Sequence, residues 1–291
     1  MIKFSKEQAI TRTAIPTPSL RDFAVADLPN EQQVCFLYNH NGTLTREEID
    51  RLAEHPEIDT IKVMGLKQDT FEYLISSYGR QLRRIHFFKN PLVQDWSMLS
   101  ELPDLEWLYW YWNQRITSLW DMSENRSLVA LHIADFTRLH DLERIEKAES
   151  LRMLFIGDHF SSTTCVHSLM PLADTAIEHL YWVGKRIDDQ DCSFLPQMKS
   201  LKTFHCPLNC FTTEQCAWIA ANCPHADCRI SHPYEIWDCP DGTKEAAIIG
   251  KKKPVLKICQ ENEERIRKYE KRFEELKFAL AGVPYHQAFR D

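Results

Sequence analysis

The chain has 291 residues, of which 44% are hydrophobic and 26% charged, with only eight glycines, so it reads as a folded globular protein and not as a flexible or low-complexity one. A formal net charge of -7 argues against a whole-chain electrostatic footprint for nucleic acid, and the single basic run Lys251-Lys252-Lys253 is too short to reverse that. Nothing approaches the roughly eighteen consecutive apolar residues of a membrane span, and the first ten residues offer no uninterrupted apolar signal core, so the ten cysteines are expected to be reduced thiols in a cytoplasmic protein.

Residues 1–33 are expected to form an N-terminal extension. Residues 34–57 read as a cap, with a strand over Val34 to Leu37. Thr45-Arg-Glu-Glu48 forms a capping box that opens a helix from Arg46 to His55.

From Ile58 a trio apolar-x-x-apolar-x-apolar recurs at Ile58/Ile61/Val63, Leu82/Ile85/Phe87, Leu105/Leu108/Trp110, Leu128/Leu131/Ile133, Leu151/Leu154/Ile156, Ile177/Leu180/Trp182 and Leu201/Phe204/Cys206. The starts lie 24, 23, 23, 23, 26 and 24 residues apart. The last two apolar positions alternate, which puts them on one face of a short strand and the residues between them on the other. Asn90 and Leu92 follow Phe87, and Asn209 and Phe211 follow Cys206, as residues that would bond neighbouring backbones after a strand. Asn113 follows Trp110 without an apolar residue two positions on, and elsewhere that place holds Leu66, Phe136, His159 and Lys185. Between the trios, apolar residues step by three, as at Trp96, Leu99, Leu102 and Leu105, at Leu139, Leu142, Ile145, Ala148 and Leu151, and at Cys192, Leu195, Met198 and Leu201. A step of three suits a tight 3₁₀-like return better than a long α-helix.

On these residues the chain resembles leucine-rich repeat proteins of the short-repeat, internalin-like and phosphatase-regulator-like subclass, which points to a bacterial source. The resemblance implies an α/β solenoid over 58–230, seven repeats clear and one degenerate at Cys223/Ala226/Cys228. It would have a concave parallel β-sheet, a 3₁₀ or short-helix convex side and helical capping repeats. A second capping box, Thr212-Thr-Glu-Gln215, opens a helix through Ala221. Residues 231–291 are read as a β-hairpin, Tyr234 to Trp237 and Ala246 to Ile249 around Asp241-Gly242, followed by an amphipathic helix. Its stripe, Cys259, Ile266, Tyr269, Phe273, Leu276 and Leu280, serves either as a cap over the last repeat or as a self-association surface.

The residues held outward carry the functional expectation. The middle column reads Lys62, His86, Tyr109, His132, Phe155, Tyr181, His205, and the column after the third anchor reads Met64, Phe88, Tyr111, Ala134, Gly157, Val183, Pro207. With Trp107, Trp112, Met153 and His179 these make an aromatic and histidine field, where Trp and Tyr would anchor a protein partner. Arg83, Arg84 and Lys89 beside Glu106 and Asp135 would be a charged rim. The expected protein-binding residues are Arg84, His86, Phe88, Trp107, Tyr109, Tyr111, Trp112, His132, Phe155, His179, Tyr181 and His205. The competing occupant of the field is the chain's own extension or C-terminal helix.

No cofactor, metal or catalytic residue is expected. The crowd of Cys and His from His205 to Cys239 has no C-x-x-C pair, and Cys206, Cys223 and Cys228 sit at anchor positions as small hydrophobes. Cys239-Pro-Asp241 is a C-x-D triplet like that of bacterial leucine-rich-repeat ubiquitin ligases. Only about sixty residues follow the repeats, against the large helical catalytic domain of those enzymes. An effector or enzyme acting through a tail thiol at Cys239 is therefore the alternative reading, and a non-enzymatic adaptor, regulatory subunit or immunity-type inhibitor the main one.

Overall fold

The computed structural model describes residues 34–38, 43–157 and 163–289; of the side chains in 34–38 it describes that of Leu37. The expected extension 1–33 and the ladder position His159 lie outside the described residues. The chain divides into two compact units, Met1–His167 with Val183–Ile187, and Ser168–Trp182 with Asp188–Asp291.

In the first unit β1 (Val34–Tyr38), β2 (Thr60–Met64), β3 (Arg84–Phe88), β4 (Trp107–Asn113), β5 (Ala130–Phe136) and β6 (Met153–Gly157) each pair in parallel with the next strand along the chain. The register sets Ile61, Ile85, Leu108, Leu131 and Leu154 in one row, and Val63, Phe87, Trp110, Ile133 and Ile156 in the row beside it. None of the ten is more than 2% exposed. Each such side chain contributes roughly 1.5–3 kcal/mol by leaving water, which is why these positions are apolar at every turn of the chain. Behind them Trp110 meets Phe87 at 4.2 Å and Trp96 at 5.4 Å, and Trp96 meets Trp120 at 4.8 Å.

Backbone groups at the strand ends are met systematically. At the entrances, the carbonyls of Asp59, Arg83, Glu106 and Val129 each accept two amides from the start of the following strand, at 2.7–3.3 Å. At the exits, Gly65, Lys89, Trp112 and Asp135 all take positive φ, 91°, 54°, 64° and 57°. Glycine does so freely, whereas each of the other three bears a cost of roughly 1 kcal/mol. Past the exits, buried asparagines bond backbone. Asn90 donates to the Val63 carbonyl (3.0 Å) and accepts from the Leu66 amide (2.9 Å). Asn113 donates to the carbonyls of Asn90 (3.0 Å) and Val93 (2.8 Å) and accepts from the amides of Arg115 and Ile116. Asn125 donates to Leu99 and Leu102 carbonyls and accepts from the Trp120 indole. Asn209, expected to act in this way, is exposed.

The step of three in the returning segments has a direct cause. The amides of Leu99, Leu102 and Leu105 donate to the carbonyls of Trp96, Leu99 and Leu102, and those of Ile145, Ala148 and Leu151 to Leu142, Ile145 and Ala148. Consecutive three-residue turns thus return the same buried face each time.

The remaining strands and helices complete the two units. β7 (Cys165–Val166), β8 (His179–Val183) and β9 (Arg186–Ile187) follow β6; β7 and β9 pair in parallel as a separate small sheet of the first unit. β8, which belongs to the second unit through Trp182, pairs in parallel with β10 (Thr203–His205), and β10 with β11 (Asp227–Cys228). The first unit also holds α1 (Arg46–Ile49) and α2 (Gln68–Tyr78), and the second α3 (Thr213–Asn222), α4 (Gln260–Leu280) and α5 (Tyr285–Ala288). Both capping boxes form: Thr45 and Glu48 bond each other's amides at the start of α1, as do Thr212 and Gln215 at α3. α1 ends at Ile49 and continues as a 3₁₀ turn, Asp50–Glu54, shorter than the expected helix.

The C-terminal segment is a three-stranded antiparallel sheet in the order β12 (Tyr234–Asp238), β13 (Lys244–Ile248), β14 (Val255–Lys257). α4 packs on it through Ile266, which joins Ala246, Ile248 and Leu256. α4 also packs on α3, and Phe273 is 1% exposed. Trp218 donates to the Val283 carbonyl at 2.7 Å. Asn222 donates to the Leu280 carbonyl at 3.0 Å and accepts from the Gly282 amide at 2.8 Å. No helix among the described residues is long and apolar enough to cross a membrane.

The expected leucine-rich repeat solenoid is corrected by these observations. The fold is mixed α/β, a large parallel sheet with few helices, in a chain that divides into two compact units. The connections do not repeat: eleven-residue α2 joins β2 to β3, a 3₁₀ turn over Ser97–Glu101 leads to β4, turns alone join β4 to β5, and a second small sheet, β7 with β9, interrupts the series. In place of helical capping repeats and a simple hairpin, the C-terminal segment has three strands. The physical reason is that the apolar trios constrain only where strands lie, and a strand position does not dictate the form of the segment that returns to it.

Candidate functional site

β4 concentrates the candidate residues. Its sequence Trp-Leu-Tyr-Trp-Tyr-Trp-Asn alternates Trp107, Tyr109 and Tyr111 on one face with Leu108 and Trp110 on the other, where Trp110 is fully buried. Parallel register then aligns each ring with its neighbours. Lys62, His86, Tyr109, His132 and Phe155 stand in one row across β2 to β6. The rings stack along it: His86 on Tyr109 at 4.3 Å, Tyr109 on His132 at 4.2 Å with planes 13° apart, and His132 against Phe155 at 4.1 Å. Flanking rows extend the field. Phe88 stacks on Tyr111 at 5.3 Å, and Trp107, Ala130 and Met153 pack together beside Tyr109.

Cations lie over these rings. The Arg84 guanidinium sits 5.0 Å from the Trp107 ring, the Lys62 ammonium 4.9 Å from Phe88, and the Lys89 ammonium 5.3 Å from Phe88 and 5.8 Å from Trp112. At such distances a ring face attracts positive charge. Glu106 balances the rim, 2.9 Å from Arg83 and 3.7 Å from Arg84. The bond that Arg83 donates to Glu106 raises the pKa of its guanidinium above the ordinary value. Asp135 is buried and accepts the Thr163 hydroxyl at 2.6 Å.

The field is not uniformly open. His86, Trp107, Tyr111, His132 and Phe155 are 6–9% exposed, while Arg84, Phe88, Tyr109 and Trp112 are partly exposed. The structure thus brings nine of the expected residues together in the first unit. Lys62 and Lys89 add the cations over Phe88; Lys62 shares the His86 row, and that register was the signal available for including it.

His179, Tyr181 and His205 lie in the second unit. Tyr181 is 1% exposed, and burial pushes its phenol well above the usual range. Its ring lies 5.3 Å from His205. His179 Nδ1 is 3.2 Å from the Thr203 hydroxyl, and burial lowers the pKa of its imidazole, opposed by the neighbouring Glu178.

Cys206, Cys223 and Cys228 are at most 3% exposed, as are Cys192 and Cys216, and every cysteine whose side chain is described is a free thiol. Burial raises the Cys192 and Cys216 thiols far above their ordinary value. Cys239 follows β12 in the turn, where its amide donates to the Thr243 carbonyl. No group of three or more His, Cys, Asp or Glu side chains among the described residues is placed to hold a metal ion. The first-unit arrangement offers ring faces and cations that a ligand could meet.

No protein-family model matches the chain, and no curated protein matches it in sequence.

Proposed function

We propose that this protein acts non-enzymatically by recognising another protein through the ring field of the first unit, as an adaptor, regulatory subunit or inhibitor. The observation that carries the reading is the continuous row of ring contacts His86, Tyr109, His132, Phe155 flanked by Phe88 on Tyr111 and capped by Arg84, Lys62 and Lys89. Rings held rigid by their neighbours lose little conformational freedom on binding, and Trp, Tyr and Arg are the side chains that most often dominate an interface. In this reading Phe88, Tyr109, Trp112 and Arg84 make first contact, and the buried rings behind them fix their positions. The histidines and cations favour a partner presenting carboxylates around an apolar centre. Free thiols support a reducing, cytoplasmic setting.

The test is affinity purification from the native cell with wild-type protein and with Tyr109→Ala/Trp112→Ala. A partner retained by wild type should bind the double variant at least about tenfold more weakly, with thermal unfolding still cooperative. Arg84→Glu, which leaves every ring in place, should weaken the same partner. Undiminished retention by both variants overturns the assignment.

A further inference from the structure

Among the described residues, no strand pairs with the β12 edge of the three-stranded sheet of the second unit. In β12 the bonds from Ile249 N to Pro233 O and from Cys239 N to Thr243 O show that odd-numbered residues exchange their backbone bonds with β13. Antiparallel pairing alternates. The amides and carbonyls of Tyr234, Ile236 and Asp238 therefore point away from β13, and no described group accepts from or donates to them. Two of its side chains are also open, Ile236 at 52% exposed and Trp237 at 41%, whereas Tyr234, which donates to Glu270, and Glu235, which pairs with Arg229, are half-buried.

Protein edges are normally guarded by Lys, Pro or brevity. β14, the opposite edge, has only three residues and is preceded by Lys251, Lys252, Lys253 and Pro254. β12 has neither lysine nor proline inside its five residues. Pro233 and Pro240 stand outside it at either end. Pro240, at an even position, has no outward amide and so terminates any pairing just past Asp238.

The strand is complementary to itself. If two copies pair antiparallel about Ile236, the three outward residues of each chain exchange all their amides and carbonyls. Ile236 faces Ile236 of the other copy, Tyr234 faces Asp238, and Glu235 faces Trp237. Each acid then lies opposite a neutral ring and not opposite another acid. A shift of the axis to Glu235 would set two carboxylates face to face, and a shift to Trp237 would pair Tyr234 with Pro240, outside the strand. Like charges directly opposite destabilise a strand pair.

We propose that β12 is a self-association edge, through which two copies of this chain join their three-stranded sheets into one of six strands about a two-fold axis at Ile236. The contact is isologous and closes on itself, so it yields a dimer and not a filament. It is independent of the ring field of the first unit.

Analytical ultracentrifugation of the full chain across the micromolar range tests this. Wild type should show a concentration-dependent dimer, and Ile236→Lys, which places two ammonium groups across the axis, should raise the dimer dissociation constant at least about tenfold. Because Ile236 is already half exposed, this variant should unfold at the wild-type temperature. Phe278→Asp, at a position 89% exposed on α4, should leave the dimer unchanged. A wild type that stays monomeric, a dimer that survives Ile236→Lys, or a dimer lost on Phe278→Asp and kept in Ile236→Lys overturns the proposal.

Discussion

In the first unit the backbone groups past β2, past β3 and β4, and in the turn leading to β4 are met by asparagines wholly inside the fold, Asn90, Asn113 and Asn125. In the second unit the corresponding work past α4 falls to Asn222, which is partly exposed and reaches the Leu280 carbonyl and the Gly282 amide. The bonds are similar in kind and length. What differs is whether water can replace them. A buried donor or acceptor that loses its partner bears the desolvation cost of about 1–3 kcal/mol, whereas a surface one finds solvent. Stability in the first unit should therefore be distributed over internal polar bonds, and in the second over apolar contacts such as Phe273 and Ile266 on α4.

Asn113→Ala should break this contrast most visibly. It leaves two carbonyls past β3 and two amides past β4 without their partners, and should lower the unfolding free energy by about 3 kcal/mol, measured by chemical denaturation. Its coupling to Asn90→Ala should be non-additive, because Asn113 holds the Asn90 carbonyl. Asn222→Ala should cost about 1 kcal/mol in the same assay; a loss equal to that of Asn113→Ala would erase the distinction between the units.

The smallest effect is a pH dependence confined to the second unit. Burial lowers the His179 imidazole below its unfolded value of 6.5, so below that value the unfolded chain takes up the proton more readily than the folded one. Stability should then be full above pH 6.5 and decline as pH falls through the depressed folded pKa. His179→Gln should flatten that part of the profile. A profile that keeps the same slope in the variant would assign it to other groups.

The strands were legible because burial selects residue type directly: Ile85 and Phe87, Leu108 and Trp110, Leu131 and Ile133 all face the core of the first unit. The capping boxes at Thr45 and Thr212 were legible because their two reciprocal bonds need particular side chains at a fixed spacing. Helix α2 was not, since its first residue follows Lys67, and the bond at its start runs from the Lys67 amide to the Thr70 hydroxyl, three residues on. The asparagines divided in the same way. Asn113 lacked the expected apolar follower yet makes four backbone bonds, and Asn209 had that follower but is exposed. Local spacing reports the side chain, but whether its neighbours are backbone or water is decided by the return path. The ring field was legible by the same alternation that places the anchors. That five of its members are nearly buried was not, because an outward position on a strand is exposed only where nothing else lies over it.

Gly65, Lys89, Trp112 and Asp135 leave their strands with the backbone turned to positive φ, at intervals of 24, 23 and 23 residues. Such a backbone restricts its residue by shape and not by polarity, so a lysine, a tryptophan and an aspartate occupy equivalent places where valine, isoleucine or threonine would be strained. The chain thus carries a second punctuation beside its apolar one, invisible to hydropathy. It lets the residue at each exit be chosen for what it presents outward, and at Lys89 and Trp112 what is presented is a cation beside an indole.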